Sequence, residues 1–526
     1  MSAADFSRDL KVGVDVGGTN TDAVVLDRSD KILAWTKRPT SVDVAGGMRA
    51  ALADVLARLG DDSGRVGRVM LGTTHATNAI LQRRGLGRVA VIRIGAPATT
   101  AVPPLTTWPA DLAEAVVAGS VIVEGGHFVD GWPIAPLDEA GVRRFLGSVA
   151  GRVDAVAVTG VFSPAVADQE LAVAAMVAAE LSPDLPVSMS HEIGALGLIE
   201  RENATVLNAA LYGAAGDVTN ALTAVLADRG LDAAAFFAQN DGTLMSLDYA
   251  ARYPVLTIGS GPANSIRGAA FLAGVEEAIV ADVGGTSTDF GVLVRGFPRE
   301  SALAVDIGGI RTNFRMPDIL SVAVGGGTIV AGTKESPEVG PASVGYRIAT
   351  EGLVFGGRTP TLTDAAVLAG RGEVGRVAPA QRSAKTRALL DAALVESDAM
   401  ISAAVERMSL GRTDRPLVAV GGGAFLIPDV VAGAAEVLRP EHADVANAVG
   451  AAIALASGRW ETLTPAGDGR RAAVDEACDM AVRRAVQAGA DPESVSVVEI
   501  TETPLSYLLE PMIRINVKAA GPLAAW

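Results

Sequence analysis

Two twelve-residue strings constrain this chain more than any other feature. Residues 15–26 read DVGGTNTDAVVL, and residues 282–293 read DVGGTSTDFGVL. Nine of the twelve positions are identical, and the second string begins 267 residues after the first, about half of the 526-residue chain. A period that long is no solenoid repeat. It marks two related domains, each opened by the same strand–turn–strand device. In the first copy a β-rich run at 11–16 enters Gly17-Gly18, and further runs follow at 23–26 and 32–35, with Asp27-Arg28-Ser29-Asp30 as turn chemistry between them. Met48, Leu52, Val55, Leu56 and Leu59 then share one helical face, which Gly60 stops. Short apolar strands at 69–71, 89–94 and 155–158 alternate with helical stretches, so an α/β layered domain is expected.

Helical spacing predicts one long helix over 201–230, and the boundary between the halves falls just before it, near 192–203. A strand at 278–283 leads into the second string. Another at 417–420 leads into Gly421-Gly422-Gly423, with a helix expected from Pro428 and a last amphipathic helix over 445–457. Beyond Pro465 the pattern changes to a helix near 471–487 and strands at 495–500 and 513–517. The expected division is a first domain over 1–195, a second over 196–462, and a small C-terminal α+β subdomain over 463–526.

Composition narrows the function. Lys and Arg number 44 against 60 Asp and Glu, a net charge of −16. That disfavours nucleic acid and anionic membranes as partners, because both need a cationic surface; local sites can still capture small anions. With 49% hydrophobic and 20% charged residues the chain is globular. No uncharged apolar run reaches the 18 residues of a spanning helix, and residues 1–10 carry Asp5, Arg8 and Asp9 without an apolar signal core. The expected setting is the cytoplasm. One cysteine, Cys478, excludes an intramolecular disulfide and a Cys-based zinc site, and is expected to be a small buried hydrophobe. His75, His127, His191 and His442 are scattered without metal-ligand spacing.

The chemistry lies in the repeated strings. Neither is a P-loop or a Rossmann fingerprint. Each joins two strands through a tight hairpin whose paired glycines, Gly17-Gly18 and Gly284-Gly285, let backbone approach a bulky anion and aim N–H groups at it. Thr19 and Thr21, or Thr286 and Thr288, can add hydroxyl donors, with Asn20 and Ser287 beside them. Asp15 and Asp282 end their strands and suit a hydrated Mg²⁺, which takes one or two carboxylates plus phosphate oxygens. Two such hairpins facing across a cleft would clasp a polyphosphate. Gly421-Gly422-Gly423 can let an adenine or ribose lie against backbone, or can be a plain connection. Asp22 and Asp289 either position a ligand or cap a turn. His75, in a Thr-rich turn, is a substrate contact or proton donor, or a polar residue at a helix start; it is carried forward with Asp15 and Asp282 as a candidate catalytic residue. His191-Glu192 and Arg83-Arg84 are weighed as ligand contacts against solvated surface.

In this order, the two hairpins and the glycine turn resemble the phosphate-1, phosphate-2 and adenosine elements of the actin / sugar kinase / heat-shock chaperone ATPase superfamily. The resemblance implies duplicated RNase-H-like domains closing around ATP. A narrower resemblance rests on Gly72-Thr73-Thr74-His75-Ala76-Thr77-Asn78-Ala79-Ile80-Leu81, Ser190-His191-Glu192, the RENATVLNA run at 201–209, Gly259-Ser260-Gly261-Pro262-Ala263, the PTLTDA run at 360–365 and the ANAVGA run at 446–451. Together these are similar to the hydantoinase A / 5-oxoprolinase family, in its shorter branch. Long members carry an Asp-Ile-His-Thr string where this chain has Asp318-Ile319-Leu320-Ser321, and residues 94–132 fit their pattern poorly. The large C-terminal domain of those members has no counterpart here.

The resemblance implies an enzyme that uses ATP and Mg²⁺ to open a cyclic amide such as a hydantoin, 5-oxoproline or a related lactam or imide. An amide carbonyl is a poor electrophile; phosphorylating its oxygen makes it open to water. Such transfer needs mainly positioning and charge neutralisation. Relatives in the same family carboxylate ketones. The family often divides activation and hydrolysis between two subunits, so a separately encoded partner is expected, and a homo-oligomer stays open. Two other classes remain: a small-molecule kinase of the same superfamily, and a non-catalytic ATP-driven reactivase or chaperone.

Overall fold

The structure, a computed structural model, describes residues 8–18, 20–40, 44–194, 196–301, 304–313, 316–376, 383–467, 469–505 and 511–524. Leu10–Val16 and Asn20–Leu26 are almost wholly buried strands, covered on both faces, as their near-continuous Val and Leu content requires. They pair antiparallel with Asp15 opposite Asp22 and Val16 opposite Thr21. Ile32–Pro39 adds a third antiparallel strand and puts Lys37 opposite Asp22. Val66–Thr73 then runs parallel to the first strand, with Gly72 opposite Asp15, and Ala234–Ala238 runs parallel beyond it.

The second half repeats this plan. Ala278–Val283 and Thr288–Val294 pair with Asp282 opposite Asp289 and Val283 opposite Thr288. Phe297–Pro298 is the third strand, and Leu417–Val420 and Val437–Leu438 follow in parallel. Both sheets therefore run in the order third, second, first, fourth, fifth, with Leu320–Val322 also pairing with the second strand of the later copy. The repeated string is the local trace of a repeated architecture.

Several features differ from the expectation. Residues 89–189 do not extend the first sheet. They form their own parallel sheet, in the order Val117–Glu124, Val89–Ala96, Ala155–Gly160, Val187–Met189. The first sheet instead continues past Ala234–Ala238 through Leu244–Ser246, Ala456–Pro465, Met512–Gly521 and Ser496–Leu505, giving nine strands. It draws on all three segments divided at 195 and 462, so those boundaries do not coincide with sheet boundaries. Helix Arg470–Gln487 packs on the extension through Ala477, Ala481 and Ala485 at i, i+4 spacing, with Cys478 half-buried in the same cluster.

The single helix expected over 201–230 is two, Leu198–Ala210 and Tyr212–Asp228, joined at Leu211. They bury different surfaces: the first is buried all round from Arg201 to Ala210, the second along one stripe. The helix expected from Pro428 is absent. A single turn at Ala424–Leu426 ends at Ile427, whose extended backbone is the conformation a following proline imposes. The helix expected over 445–457 stops at Ala452, because Ala456–Pro465 is taken into the nine-strand sheet and pairs along Met512–Gly521.

The two equivalent sheets meet through a pair of helices, Ser260–Ala273 and Ala446–Ala452, which cross without intervening side chains. A Cβ on Gly268 would stand 1.9 Å from the Ala446 carbonyl oxygen, and one on Gly450 1.9 Å from that of Asn264. On the sheet side, a Cβ on Gly13 would stand 2.0 Å from the Ala448 oxygen.

Candidate functional site

The register that makes each hairpin also turns its carboxylates inward, Asp15 and Asp22 buried and Asp282 and Asp289 partly buried. Asp15 ends the first strand at 4% exposure, beside Gly72 of the neighbouring parallel strand; a Cβ on Gly72 would touch Asp15 Oδ1 at 2.4 Å. Asp282 stands in the same relation to Gly421, where a Cβ would lie 2.5 Å from Asp282 Oδ1 and φ is +85°. Glycine is needed at 421 for both reasons. The turn closures correspond as well: Gly17 N–H donates to the Asn20 carbonyl and Gly284 N–H to the Ser287 carbonyl, both at 2.9 Å. Thr74 N–H reaches the Val16 carbonyl at 3.1 Å, and Gly423 N–H the Val283 carbonyl at 2.9 Å. The Gly72-Thr73-Thr74 run is therefore the first half's counterpart of Gly421-Gly422-Gly423, a correspondence the differing residue types conceal.

The helix pair joins the two carboxylates. Asn447 Nδ2, on the second helix, lies 3.5 Å from Asp15 Oδ2, and Asn447 and Ser265, one from each helix, both lower the Asp282 carboxyl against its burial. Burial first, then the charges of Asp22 and Asp282, push the Asp15 carboxyl up to about 7. Burial raises Asp22 to about 6 against the pull of Lys37, whose Nζ donates to Asp22 Oδ2 at 2.8 Å and to the Asp444 carbonyl at 2.8 Å. Asp282 and Asp289 are raised by burial too. Asp15 Oδ1 and Asp22 Oδ1 are buried with no hydrogen-bond partner among the described residues.

These orphaned acceptors test the cation. Among the described residues no group of three or more His, Cys, Asp or Glu side chains is arranged to hold a metal, so an all-protein cage is excluded there. Mg²⁺ does not require one, since it keeps waters and takes one or two carboxylates with substrate phosphates. The residues present fit that mode: Asp15 offers an oxygen without a partner among the described residues, and Asp282 holds the corresponding place in the second hairpin.

The second hairpin is braced from behind. Gly326 and Gly327 N–H groups donate to the Gly284 and Gly285 carbonyls at 3.0 and 2.7 Å, and Thr288 Oγ1 to the Val324 carbonyl at 2.5 Å. A Cβ on Gly325 would meet the Thr286 backbone at 2.6 Å. Thr363 Oγ1 holds the Gly326 carbonyl at 2.8 Å, and Thr361 and Asp364 cap the helix behind it. The first hairpin is held at Gly17, whose carbonyl accepts from Thr40 Oγ1 at 2.8 Å; that hydroxyl also meets Thr21 Oγ1 at 3.2 Å. Gly18 and Asn20 flank Thr19, which lies outside the described residues.

Asp15, Asp282, Gly17-Gly18, Gly284 to Thr288 and Gly421 to Gly423 therefore belong to corresponding ends of the two sheets. His75 is set apart from them. It opens the helix His75–Gln82, and its ring lines an apolar cavity of about 20 Å³ with Leu211, Val218 and Phe237, where burial lowers its pKa. Arg83 is structural: it bonds Asp111 and the carbonyls of Ile80 and Gly308. In the RENATVLNA run, Arg201, Glu202, Asn203 and Asn208 are all buried junctions. Glu202 takes both arms of Arg93, Asn203 takes the Trp108 indole N–H, and Asn208 Oδ1 accepts from Val255 N–H. Sequence reasoning assigned no role to Lys37 or Asn447. The alternating register of the third strand places Lys37, and Asn447 stood unassigned inside one of the resemblance strings.

Residues 11–181 match the hydantoinase/oxoprolinase N-terminal region, and residues 201–381 match hydantoinase/oxoprolinase. The caprolactamase subunit alpha of Pseudomonas jessenii is 26% identical over 433 residues, 76% of this chain and 60% of that protein. The acetophenone carboxylase gamma subunit of Aromatoleum aromaticum is 27% identical over 390 residues, 68% of this chain and 53% of that protein. The chain thus spans between half and two thirds of the length of these curated relatives. Among solved structures, the ATP-dependent caprolactamase from Pseudomonas jessenii aligns with a TM-score of 0.79 at 20% identity, covering 98% of this chain and 88% of that one. Nucleotide-free acetone carboxylase aligns with a TM-score of 0.68 at 17% identity, with the same two coverages. At these identities the likeness carries the fold alone, the α/β arrangement with its two equivalent hairpin-led sheets. Among the described residues no helix is long and apolar enough to cross a membrane.

Proposed function

The chain belongs to the hydantoinase/oxoprolinase family, and on that premise we propose that it is an ATP-dependent hydrolase that opens a cyclic amide through phosphorylation of the ring carbonyl. The observation that carries the reading is the pair of carboxylates, Asp15 buried and Asp282 partly buried, at corresponding places in two equivalent hairpins, both raised by desolvation. Carboxylates raised in this way are poised to exchange a proton for a cation.

In this reading Asp15 and Asp282 hold Mg²⁺, and Gly17-Gly18 and Gly284-Gly285 admit the phosphates against backbone. Gly421 to Gly423 leave room for the nucleoside. Bound there, Mg²⁺ and ATP supply charge neutralisation and a transferable phosphoryl group. Lys37 favours the ionised form of Asp22 beside the cation site, and Asn447 orients the Asp15 carboxylate. The bonds to the Gly284 and Gly285 carbonyls fix the hairpin backbone before substrate arrives, which lowers the reorganisation needed at the reacting centre. His75 is left out of the reacting group.

The relatives support the substrate class and the need for company. One is named a caprolactamase subunit and one an acetophenone carboxylase subunit. We therefore read the chain as the ATP-using subunit of a cytoplasmic enzyme completed by a separately encoded chain. The experiment is a screen of phosphate release against lactams, hydantoins and imides, with a parallel arm of ketone and bicarbonate, on the chain alone and with its co-expressed neighbour. Release dependent on a cyclic amide is the expected result. Release dependent on the ketone arm, or a stable phosphorylated product, would replace this reading with a carboxylase or a kinase.

A further inference from the structure

A second cavity, of about 330 Å³, opens between the four-strand parallel sheet and the extended end of the nine-strand sheet. None of the hairpin residues lines it. Its size is that of a small-ligand pocket, and its polar lining is incomplete in a specific way. Glu461 and Asn516 are cross-strand partners on the extension, and Asn516 Nδ2 donates to Glu461 Oε2 at 3.2 Å. That bond fixes both side chains and leaves their other oxygens, Glu461 Oε1 and Asn516 Oδ1, buried with no hydrogen-bond partner among the described residues. Asn516 is 6% exposed. Arg459 Nη1, two residues before Glu461 on the same strand, is likewise buried without a hydrogen bond, with Glu499 3.8 Å away. Folded proteins leave few such atoms unpaired, and each asks for an explanation.

The opposite wall carries His191. Its Nδ1 lies 2.6 Å from Glu170 Oε2, and Glu170 is itself fixed by Ser190 Oγ at 2.6 Å and Gly160 N–H at 2.7 Å. The tie to Glu170 sets the ring orientation and leaves Nε2 as the nitrogen a ligand can meet. Leu256 and Ile193 supply apolar wall. The fixed charges are balanced: Arg459 is answered by Glu300 and Asp241, and Asp241 by Lys518 at 2.7 Å. The lining therefore suits a small neutral molecule with both an N–H and a C=O. One peptide links this cavity to the carboxylates. Asn240 lines it, and its Oδ1 accepts from Gly259 N–H at 2.7 Å, at the start of the helix Ser260–Ala273, which packs on the helix whose Asn447 reaches Asp15.

We propose that this cavity seats the cyclic amide. The ring N–H faces Glu461 Oε1 and Asn516 Oδ1, the ring carbonyl faces Arg459 Nη1, and the ring carbons lie on Leu256 and Ile193. His191 Nε2 is a further polar contact, for the ring or a bound water. The inference rests on the cyclic-amide reading above and adds to it the place and contacts of the substrate. The test is made on the full chain with its co-expressed neighbour, using hydantoin, 2-pyrrolidinone and ε-caprolactam as probes. Ring-dependent phosphate release and calorimetric binding of Mg²⁺·ATP are measured for the parent, Asn516→Ala and Glu461→Gln. The expected result is a rise of about tenfold or more in KM for the ring in both variants, with nucleotide affinity unchanged. Should Asn516→Ala fail to fold, the near-isosteric Glu461→Gln carries the test alone. Ring-dependent release with an unchanged KM in the folded variants overturns the assignment of the cavity and leaves the cyclic-amide reading standing. Release that no probe stimulates in the parent overturns that reading, and this inference with it.

Discussion

Gly268 rests directly on the carbonyl oxygen of Ala446, so closely that a Cβ in its place would stand 1.9 Å from that atom. Gly450 repays the contact on the carbonyl oxygen of Asn264, also at 1.9 Å. The obstructing atoms are helix backbone and cannot rotate away. Gly268→Ala or Gly450→Ala is expected to destabilise the chain by about 2–3 kcal/mol through overpacking. Gly147→Ala, on an exposed helix face with nothing within 4 Å, should stabilise by about 0.5–1 kcal/mol. Guanidinium denaturation of the three variants reads the contrast; equal midpoints would show that the helix pair is not packed as described.

Asp282→Asn separates binding from stability. The carboxylate is partly buried and raised by desolvation, so an uncharged isostere removes part of that cost. The variant is expected to lose magnesium-dependent nucleotide binding by calorimetry while melting no lower than the parent. Undiminished binding would take Asp282 out of the site.

The pH dependence follows from Asp15. Its folded-state value of about 7 stands above the ordinary 3.8, so between these values the folded chain keeps a proton that the unfolded chain has lost. Stability of the magnesium-free chain is therefore expected to fall as pH rises from about 4 to 7, with a slope approaching about 1.4 kcal/mol per pH unit while one proton is differentially bound. Asp22 acts in the same direction up to about 6. Asp15→Asn should flatten the curve, and Mg²⁺ should restore stability most above pH 7, where the carboxylates are free to bind it. Melting temperatures at pH 5, 6, 7 and 8, with and without Mg²⁺, check this; parallel curves for parent and Asp15→Asn would refute it.

Arg93 and Glu202 form a wholly buried bidentate pair, with N···O distances of 2.7 and 2.6 Å, between the parallel sheet and helix Leu198–Ala210. Removing one partner strands the other charge. Glu202→Leu is expected to cost about 3–5 kcal/mol, and Arg93→Met with Glu202→Leu to recover most of it. Urea midpoints decide the matter, and a single variant within about 1 kcal/mol of the parent would contradict the buried pairing.

Self-sufficiency is the last question for the bench. We expect the isolated chain to turn over a cyclic amide weakly and the co-expressed neighbour to raise the rate. Steady-state turnover of about 1–10 s⁻¹ by the chain alone, tightly coupled to ATP use and unmoved by the neighbour, would show that no partner is needed.

The parts of this molecule that could be read from residues are the local ones. Glycine, aspartate and threonine at adjacent positions specify a hairpin by themselves, and that hairpin carries Asp15 opposite Asp22 and Asp282 opposite Asp289. Strand membership could not be read the same way. An apolar run such as 89–96 looks alike in either sheet, because its hydrophobic pattern reports burial and not the neighbour that provides it. The first residues of Ala456–Pro465 read as the end of a helix because small apolar residues at 445–457 satisfy helical spacing, while the strand's actual partner lies about 47 to 65 residues onward. Lys37 and Asn447 escaped for the same reason: each acts on a carboxylate that only the folded register brings near.

The order of strands in the largest sheet has a consequence for vectorial synthesis. Leu244–Ser246 leaves the ribosome with one side paired to Ala234–Ala238 and the other still open. Its outer neighbour, Ala456–Pro465, is not made until some two hundred residues later, after the entire second half. The nascent chain must therefore carry an unsatisfied strand edge through about two fifths of its own translation, the kind of edge that recruits a second nascent chain when polysomes are crowded. Seen this way, the late strands close the earliest sheet, and premature termination within them would expose an adhesive edge on an otherwise folded first half.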